Sequence, residues 1–302
     1  MNKAIKGTGV ALITPFDNLG QVDFNSLTNL LEHVITNGVD YLVVLGTTGE
    51  SVTLNKQEKK QVIEHVIKIN NARLPIVLGL GGNNTHEIID QIQETDFSGI
   101  QAILSVSPYY NKPTQEGIYQ HYKAIAEKCP LPIILYNVPG RTASNLLPET
   151  TLRLANDFKN IVAIKEASGN IEQVMKIIHH KPKDFLVISG DDSLTLPMIA
   201  CGASGVISVV ANAYPKEFSN LVNSSLDGDF ESARVNHYHL LEIIETLFVE
   251  GNPAGVKAAL KILKITNDGL RLPLVNVSAN TFNRLSLLNE KLLSNTLATK
   301  AQ

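Results

Sequence analysis

A run of four apolar residues, Ile161-Val162-Ala163-Ile164, ends on Lys165 and leads into the polar turn Glu166-Ala167-Ser168-Gly169. A lysine at the end of a buried strand is costly, because an ammonium taken out of water loses its hydration. One reading is that Lys165 snorkels into solvent along its apolar stem. The other is that it is a nucleophile that forms a Schiff base with a keto acid. An amine must be neutral to attack a carbonyl, and a free lysine, with a pKa near 10.4, is almost wholly protonated at pH 7. Desolvation and a nearby cation both favour the neutral form. The nucleophile reading therefore needs companions. It needs a proton shuttle, donors for a keto-acid carboxylate and an anchor for a second, anionic substrate.

Residues of those types are present. Tyr136 ends another apolar run, and Arg141 follows in Asn137-Val138-Pro139-Gly140-Arg141. Thr47 and Thr48 stand between glycines in Gly46-Thr47-Thr48-Gly49-Glu50, and Tyr109-Tyr110 precede Asn111-Lys112-Pro113. Gly190 closes a seventh apolar run, and Ile207 lies within an eighth. Taken singly, each has an ordinary reading: turn chemistry for the threonines, a core aromatic for Tyr136, a solvated charge for Arg141, loop packing or an oligomer contact for the tyrosine pair.

The elements that must bring them together are the apolar runs themselves. Short stretches rich in Val, Ile and Leu begin near residues 9, 41, 75, 100, 131, 161, 185 and 205, with helix-period segments between them. Alternating strands and helices predict a parallel sheet covered by helices, and eight strands suit closure into a TIM (β/α)₈ barrel. An open doubly wound sheet competes, but Gly79-Leu80-Gly81-Gly82 lacks the last glycine of its GxGxxG fingerprint. The barrel is expected over residues 1–225. A C-terminal helical extension is expected over 226–302, carrying apolar groups such as Leu240, Ile244 and Leu247, with no linker to set it free. Active sites of such barrels lie at the C-terminal strand ends, which gathers the candidate residues at one mouth. Strand alternation puts Lys165 on one face with Ala163 and Ile161, and Tyr136 on one face with Ile134.

Composition narrows the class. The chain of 302 residues has 26 Lys and Arg against 29 Asp and Glu, a net charge of −3, and no basic stripe to neutralise nucleic-acid phosphates. Its two cysteines, Cys129 and Cys201, make no disulfide framework and suit a reducing cytoplasm. No signal-peptide core is expected in residues 1–7, and no apolar run approaches the roughly 20 residues of a membrane span. A soluble cytoplasmic protein is expected. Val162-Ala163-Ile164-Lys165 matches a protein-kinase string, but the glycine-rich loop and the His-Arg-Asp and Asp-Phe-Gly motifs are missing. The histidines show no metal-ligand spacing, so no metal is expected, and Asp191-Asp192 read as a helix cap after the seventh strand.

Five segments stand together in a familiar order: Gly46–Glu50, Tyr109–Pro113, Tyr136–Thr142, Lys165–Gly169 and Gly205–Ser208. With them the chain resembles, over essentially its whole length, the dihydrodipicolinate synthase (4-hydroxy-tetrahydrodipicolinate synthase) family. These are pyruvate-dependent class I aldolases of the N-acetylneuraminate lyase superfamily. The resemblance implies a lyase that joins pyruvate, as a Schiff base on Lys165, to L-aspartate 4-semialdehyde in lysine (diaminopimelate) biosynthesis, without an external cofactor. It implies that Tyr136 transfers protons through Thr47 to a Tyr110 reaching in from a neighbouring subunit, within a homotetramer built from tight dimers. It further implies that Thr48 holds the pyruvate carboxylate, that Arg141 holds the semialdehyde carboxylate, and that Gly190 and Ile207 line the site. Lyases for N-acetylneuraminate or related sugar keto acids are the nearest alternative. They typically carry Gly-Ser-Thr-Gly-Glu at 46–50 and lack the arginine at 141. A non-catalytic barrel that senses keto acids is a third reading, set against it by the presence of both Lys165 and Tyr136. The family's allosteric lysine site matches at Ser51, Asn83, Glu87 and Tyr109. Lys56 and Lys59 depart from the histidines usual in lysine-sensitive bacterial members, which implies weak or absent feedback, since a cation there repels the effector's ammonium.

Overall fold

The computed structural model of the chain describes residues 5–299. The apolar runs become eight parallel strands: β1 Gly7–Ala11, β2 Tyr41–Val44, β3 Ile76–Gly79, β4 Ala102–Val106, β5 Ile133–Asn137, β6 Ile161–Glu166, β7 Leu186–Ser189 and β8 Gly205–Ser208. Each pairs with the next, and β8 returns to β1, so the barrel is closed. The helices are α1 Phe24–Thr36, α2 Lys56–Asn70, α3 Thr85–Glu94, α4 Gln115–Lys128, the single turn α5 Pro139–Thr142, α6 Pro148–Asp157, α7 Ile171–His180, α8 Thr195–Ala200 and α9 Pro215–Leu226. The C-terminal extension then supplies α10 Phe230–Phe248, α11 Ala254–Ile262 and α12 Ala279–Thr299. The expected boundary at 225/226 falls at the end of α9.

Local chemistry starts the helices where the chain must turn. Asp23 accepts from the Asn25 and Ser26 amides, Asn55 and Glu58 form a reciprocal capping box, and Thr114 accepts from the Gly117 amide. Each such cap is worth about 1 kcal/mol. Asp191-Asp192 do not cap α8, whose first turn follows Leu194 without a side-chain cap. Asp192 is instead buried and accepts from the Val209 and Val210 amides at 3.0 and 3.3 Å, so it ties the loop after β7 to the loop after β8.

Alternation along the strands divides the core into two. Between barrel and helices lies the larger cluster, including Leu30, Leu42, Ile103, Leu135, Ile164 and Val187. Inside the barrel lies a smaller one, including Tyr41, Val43, Val77, Ile134, Ala163, Ile188 and Ile207. Tyr41 fills the interior floor because Gly9 has no Cβ to meet its ring, and its hydroxyl donates to the Val206 carbonyl at 3.1 Å. β6 breaks the alternation once. Ile133 pairs with Ile161 and Ile134 with Ala163, so Val162 is bulged out of register. The bulge sends Ile161 to the outer cluster and packs Val162 against the inner one. Lys165 therefore shares the interior with Ala163, as its spacing predicts, but not with Ile161.

Candidate active site

Lys165 and Tyr136 are register partners near the C-terminal ends of β6 and β5. Lys165 is only 6% exposed, and its Nζ stands 4.5 Å from the centroid of the Tyr136 ring. Among the described residues no carboxylate forms an ion pair with it, and no hydrogen bond reaches its Nζ. On its other side the register partner is Ile188. Ala163, fully buried, keeps the space beneath it small and apolar. Gly190 supplies the remaining wall. A Cβ there would come within 2.9 Å of Lys165 Cε and 2.7 Å of Ala167 Cβ, so only glycine leaves the lysine stem its room. The Gly190 amide donates to the Glu166 carbonyl at 2.7 Å, extending the ladder one step past the strand ends.

The loop after β2 folds as a turn of 3₁₀ helix over Thr47–Gly49, with Glu50 in the left-handed region at φ 51°. Thr47 is exposed at the mouth and Thr48 is buried. Thr48 Oγ1 accepts from Asn252 Nδ2 at 2.9 Å. The Asn252 carbonyl is in turn 3.4 Å from an Arg141 guanidinium nitrogen. Asn252, from the loop between α10 and α11, thus bridges the two residues assigned to the two carboxylates. Arg141 itself sits on α5 and is exposed. Ile207 packs in the inner cluster on β8. Tyr110 lies apart from this gathering: its side chain is 88% exposed on the surface of the single chain, and its backbone is held at φ 72°.

Comparison with known proteins agrees with this geometry. The family model described as "Dihydrodipicolinate synthetase family" matches residues 4–291. The chain belongs to this family. The 4-hydroxy-tetrahydrodipicolinate synthase of Flavobacterium psychrophilum is 57% identical over 290 residues, covering 96% of this chain and 99% of that one. The crystal structure of dihydrodipicolinate synthase from Aquifex aeolicus superposes with a TM-score of 0.92 at 44% identity, over 95% of this chain and 98% of that one. The Acinetobacter baumannii dihydrodipicolinate synthase, solved as a complex with pyruvate, superposes with a TM-score of 0.92 at 41% identity, over 95% and 99%. A synthetase-family barrel therefore carries the lysine, phenol, threonines and arginine at one mouth.

Two polar networks around this family's motif residues were not visible in the sequence pattern. In the first, Glu50 accepts from Lys257 Nζ at 2.5 Å and from the Arg271 amide at 3.1 Å, which fastens α11 and the loop before α12 to the Gly46–Glu50 motif. A lysine amid Val256, Ala258, Ala259 and Leu260 was the available signal. In the second, Glu166, beside Lys165, accepts from Asn137, Ser168 and Gln173. Burial pushes its carboxyl up to about 7, against the pull of those donors. At the positions matched to the allosteric site, Asn83 Nδ2 donates to the Tyr109 carbonyl at 3.0 Å, while Ser51 opens a 3₁₀ turn after Glu50 and Glu87 lies in the first turn of α3. Lys56 pairs with Glu94 of α3 at 2.6 Å. Among the described residues no three His, Cys, Asp or Glu side chains cluster to hold a metal, and no helix is long and apolar enough to cross a membrane.

Proposed function

We propose that this chain condenses pyruvate with L-aspartate 4-semialdehyde to 4-hydroxy-tetrahydrodipicolinate, the lysine-biosynthetic reaction for which its relatives are named. The observation that carries the reading is Lys165: a buried amine at a barrel mouth, against a phenol and without a counter-ion among the described residues. Its neutral form attacks the keto carbon, and the carbonyl oxygen leaves as water. The resulting iminium acidifies the pyruvate methyl group, which loses a proton to give an enamine. The enamine attacks the aldehyde carbon. The substrate's own amine then displaces lysine from the imine carbon, which closes the ring and frees Lys165. Tyr136 passes the protons, relayed through Thr47 to Tyr110 of a neighbouring copy, which fits the exposure of Tyr110 in the single chain.

Thr48 holds the pyruvate carboxylate and Arg141 that of the semialdehyde, with Gly190 and Ile207 closing the pocket. The covalent lysine adduct supplies the electron sink, so no cofactor or metal is required. The working unit is a dimer or larger, a homotetramer of tight dimers in the cytoplasm. Ser51, Asn83, Glu87 and Tyr109 form a lysine-binding region that Lys56 and Lys59 weaken. A lysine inhibition curve to millimolar concentration tests this, and strong saturable inhibition overturns it.

The decisive experiment is incubation with pyruvate, reduction with borohydride and mapping of the adduct by mass spectrometry. A reduced pyruvate adduct on Lys165 is expected, and its absence ends the aldolase reading. Turnover with aspartate semialdehyde, and none with N-acetylmannosamine, then separates the synthase from a sugar-acid lyase.

A further inference from the structure

Behind the mouth, on the helix side of the barrel, a closed ring of polar side chains stands where the strands lower down carry Leu135 and Ile164. Alternation turns Lys165 and Tyr136 inward and the next residue of each strand, Glu166 and Asn137, outward. Those two are register partners and both are buried. Asn137 Nδ2 donates to Glu166 Oε1 at 2.5 Å. The same nitrogen donates to Asn145 Oδ1 at 2.8 Å, and Asn137 Oδ1 accepts from the Leu146 amide at 2.9 Å. One asparagine at the start of the loop that carries Arg141 thus pins that loop's return. Gln173 of α7 completes the ring: its Nε2 donates to the Glu166 carboxylate at 3.2 and 3.3 Å, and its Oε1 accepts from Asn145 Nδ2 at 2.8 Å.

We propose that this ring, with the Asn137–Glu166 bond at its centre, is the positioning element that sets Lys165, Tyr136 and Arg141 relative to one another. The inference rests on the roles assigned above to those three residues. Strand ends fray where the ladder stops, and proton transfer between an amine and a phenol tolerates misplacement of only a fraction of an ångström. An apolar side chain fills the same space but aims nothing. A buried carboxyl with a raised proton affinity is less stable there than a leucine, and directional bonds are what it adds. The ring touches the two strands and the loop, one for each of the three groups, and it does so from the face that substrate does not enter. Glu166 and Asn137 are thus positioning residues and not catalytic ones.

The test uses the full-length enzyme with Asn137→Ala, Glu166→Ala, their combination and Glu166→Gln. The measurements are kcat, KM for pyruvate, the rate of borohydride-trapped adduct formation on Lys165, and the melting midpoint. Each alanine variant is expected to lower kcat and the trapping rate about 10- to 100-fold, with KM for pyruvate changing less than about threefold. The double variant should fall no more than about threefold below the worse single one, because one bond is lost in all three. Glu166→Gln, which keeps an oxygen for Asn137, should lie between Glu166→Ala and the unaltered enzyme.

Ile177→Ala on α7 is the control for stability alone, and it should lower the midpoint while leaving kcat within about twofold. Losses in kcat that multiply in the double variant, or an Ile177→Ala loss as large as that of Glu166→Ala at equal midpoint, overturn the proposal. If the alanine variants do not fold, Glu166→Leu, which fills the same space without an acceptor for Asn137, decides: a kcat within about twofold of the unaltered enzyme overturns the proposal, and a larger loss at unchanged KM for pyruvate supports it. Failure of the Lys165 reading itself shows separately, as an unaltered enzyme that traps no pyruvate.

Discussion

Lys165 and Lys257 are both buried amines, and their surroundings differ in one respect. Lys257 on α11 is wholly enclosed. Its Nζ donates to Glu50 at 2.5 Å and to the Gly269 carbonyl at 2.8 Å, and it stands 4.3 Å from the Phe16 ring centroid. Burial pushes this amine down to about 8, and Glu50 works against that fall. Among the described residues Lys165 Nζ has only the Tyr136 ring. It does have a carboxylate next to it in the chain, but alternation turns Glu166 to the other face, where Asn137 and Gln173 occupy it. One lysine is consumed by the fold, and the other is kept for a substrate. The arginines repeat the contrast. Arg271 is bound by Glu58 at 2.5 Å and by the Gly20 and Thr53 carbonyls, whereas among the described residues Arg141 has only a 3.4 Å approach to Asn252. The comparison teaches that pairing, more than burial, separates the structural cations of this barrel from those available for chemistry.

The contrast can be broken most directly at Lys165. Lys165→Met should abolish the borohydride-trapped adduct and lower turnover about 10³-fold or more, with little loss of stability. Retention of the adduct elsewhere on the chain would falsify the assignment. The opposite result is expected at Lys257. Lys257→Met strands the Glu50 carboxylate in the core and should cost about 3–5 kcal/mol in denaturant unfolding, and Lys257→Met/Glu50→Gln should recover part of that. Adduct should still form on Lys165 in the folded fraction. Loss of the adduct at unchanged stability would mean that Lys257 takes part in the chemistry and that the contrast is false.

Arg141→Ala sharpens the contrast from the substrate side. KM for the semialdehyde should rise about 10- to 100-fold while pyruvate trapping changes less than about threefold. Equal loss of both would show that the anchor is misplaced.

The smallest expected effect is a pH dependence from Glu166. Its carboxyl is raised from 4.5 to about 7 in the fold by burial, so between those values the folded chain holds a proton that the unfolded chain releases. That contribution is fully present below about pH 4.5 and is lost as pH rises through 7. Urea unfolding at pH 5 and pH 7.5 should show a smaller difference for Glu166→Gln than for the unaltered chain. Equal differences would assign the slope to other groups.

Much of the site was legible in the sequence because strand ends are local features. The runs at β5 and β6 place Tyr136 and Lys165 near strand ends from spacing alone, and they are register partners. Ala163 under the lysine followed from the same alternation. Ile161 did not, because a bulge at Val162 leaves no mark in a run of apolar residues that suit either face. The Asp191-Asp192 pair was read as a cap because helix starts favour aspartate, but burial drew Asp192 toward the β8 loop amides. Lys257 was marked by its apolar neighbours on α11, but Asn252 and Asn137 carried no local signal, since polar residues in loops and at strand ends have many possible partners.

What the sequence determined by itself is the alternation of eight apolar runs with helical segments, and so the barrel and the order of groups around its mouth. Periodicities of 2 and 3.6 are properties of neighbouring residues, and burial enforces them wherever the chain folds. Only the tertiary structure decided which charges are matched. Glu50 meets Lys257 across 207 positions, and Thr48 meets Asn252 across 204. Closure of the barrel sets those distances, and a hydrogen bond or ion pair depends on distance and direction in space, with no period along the chain to announce it.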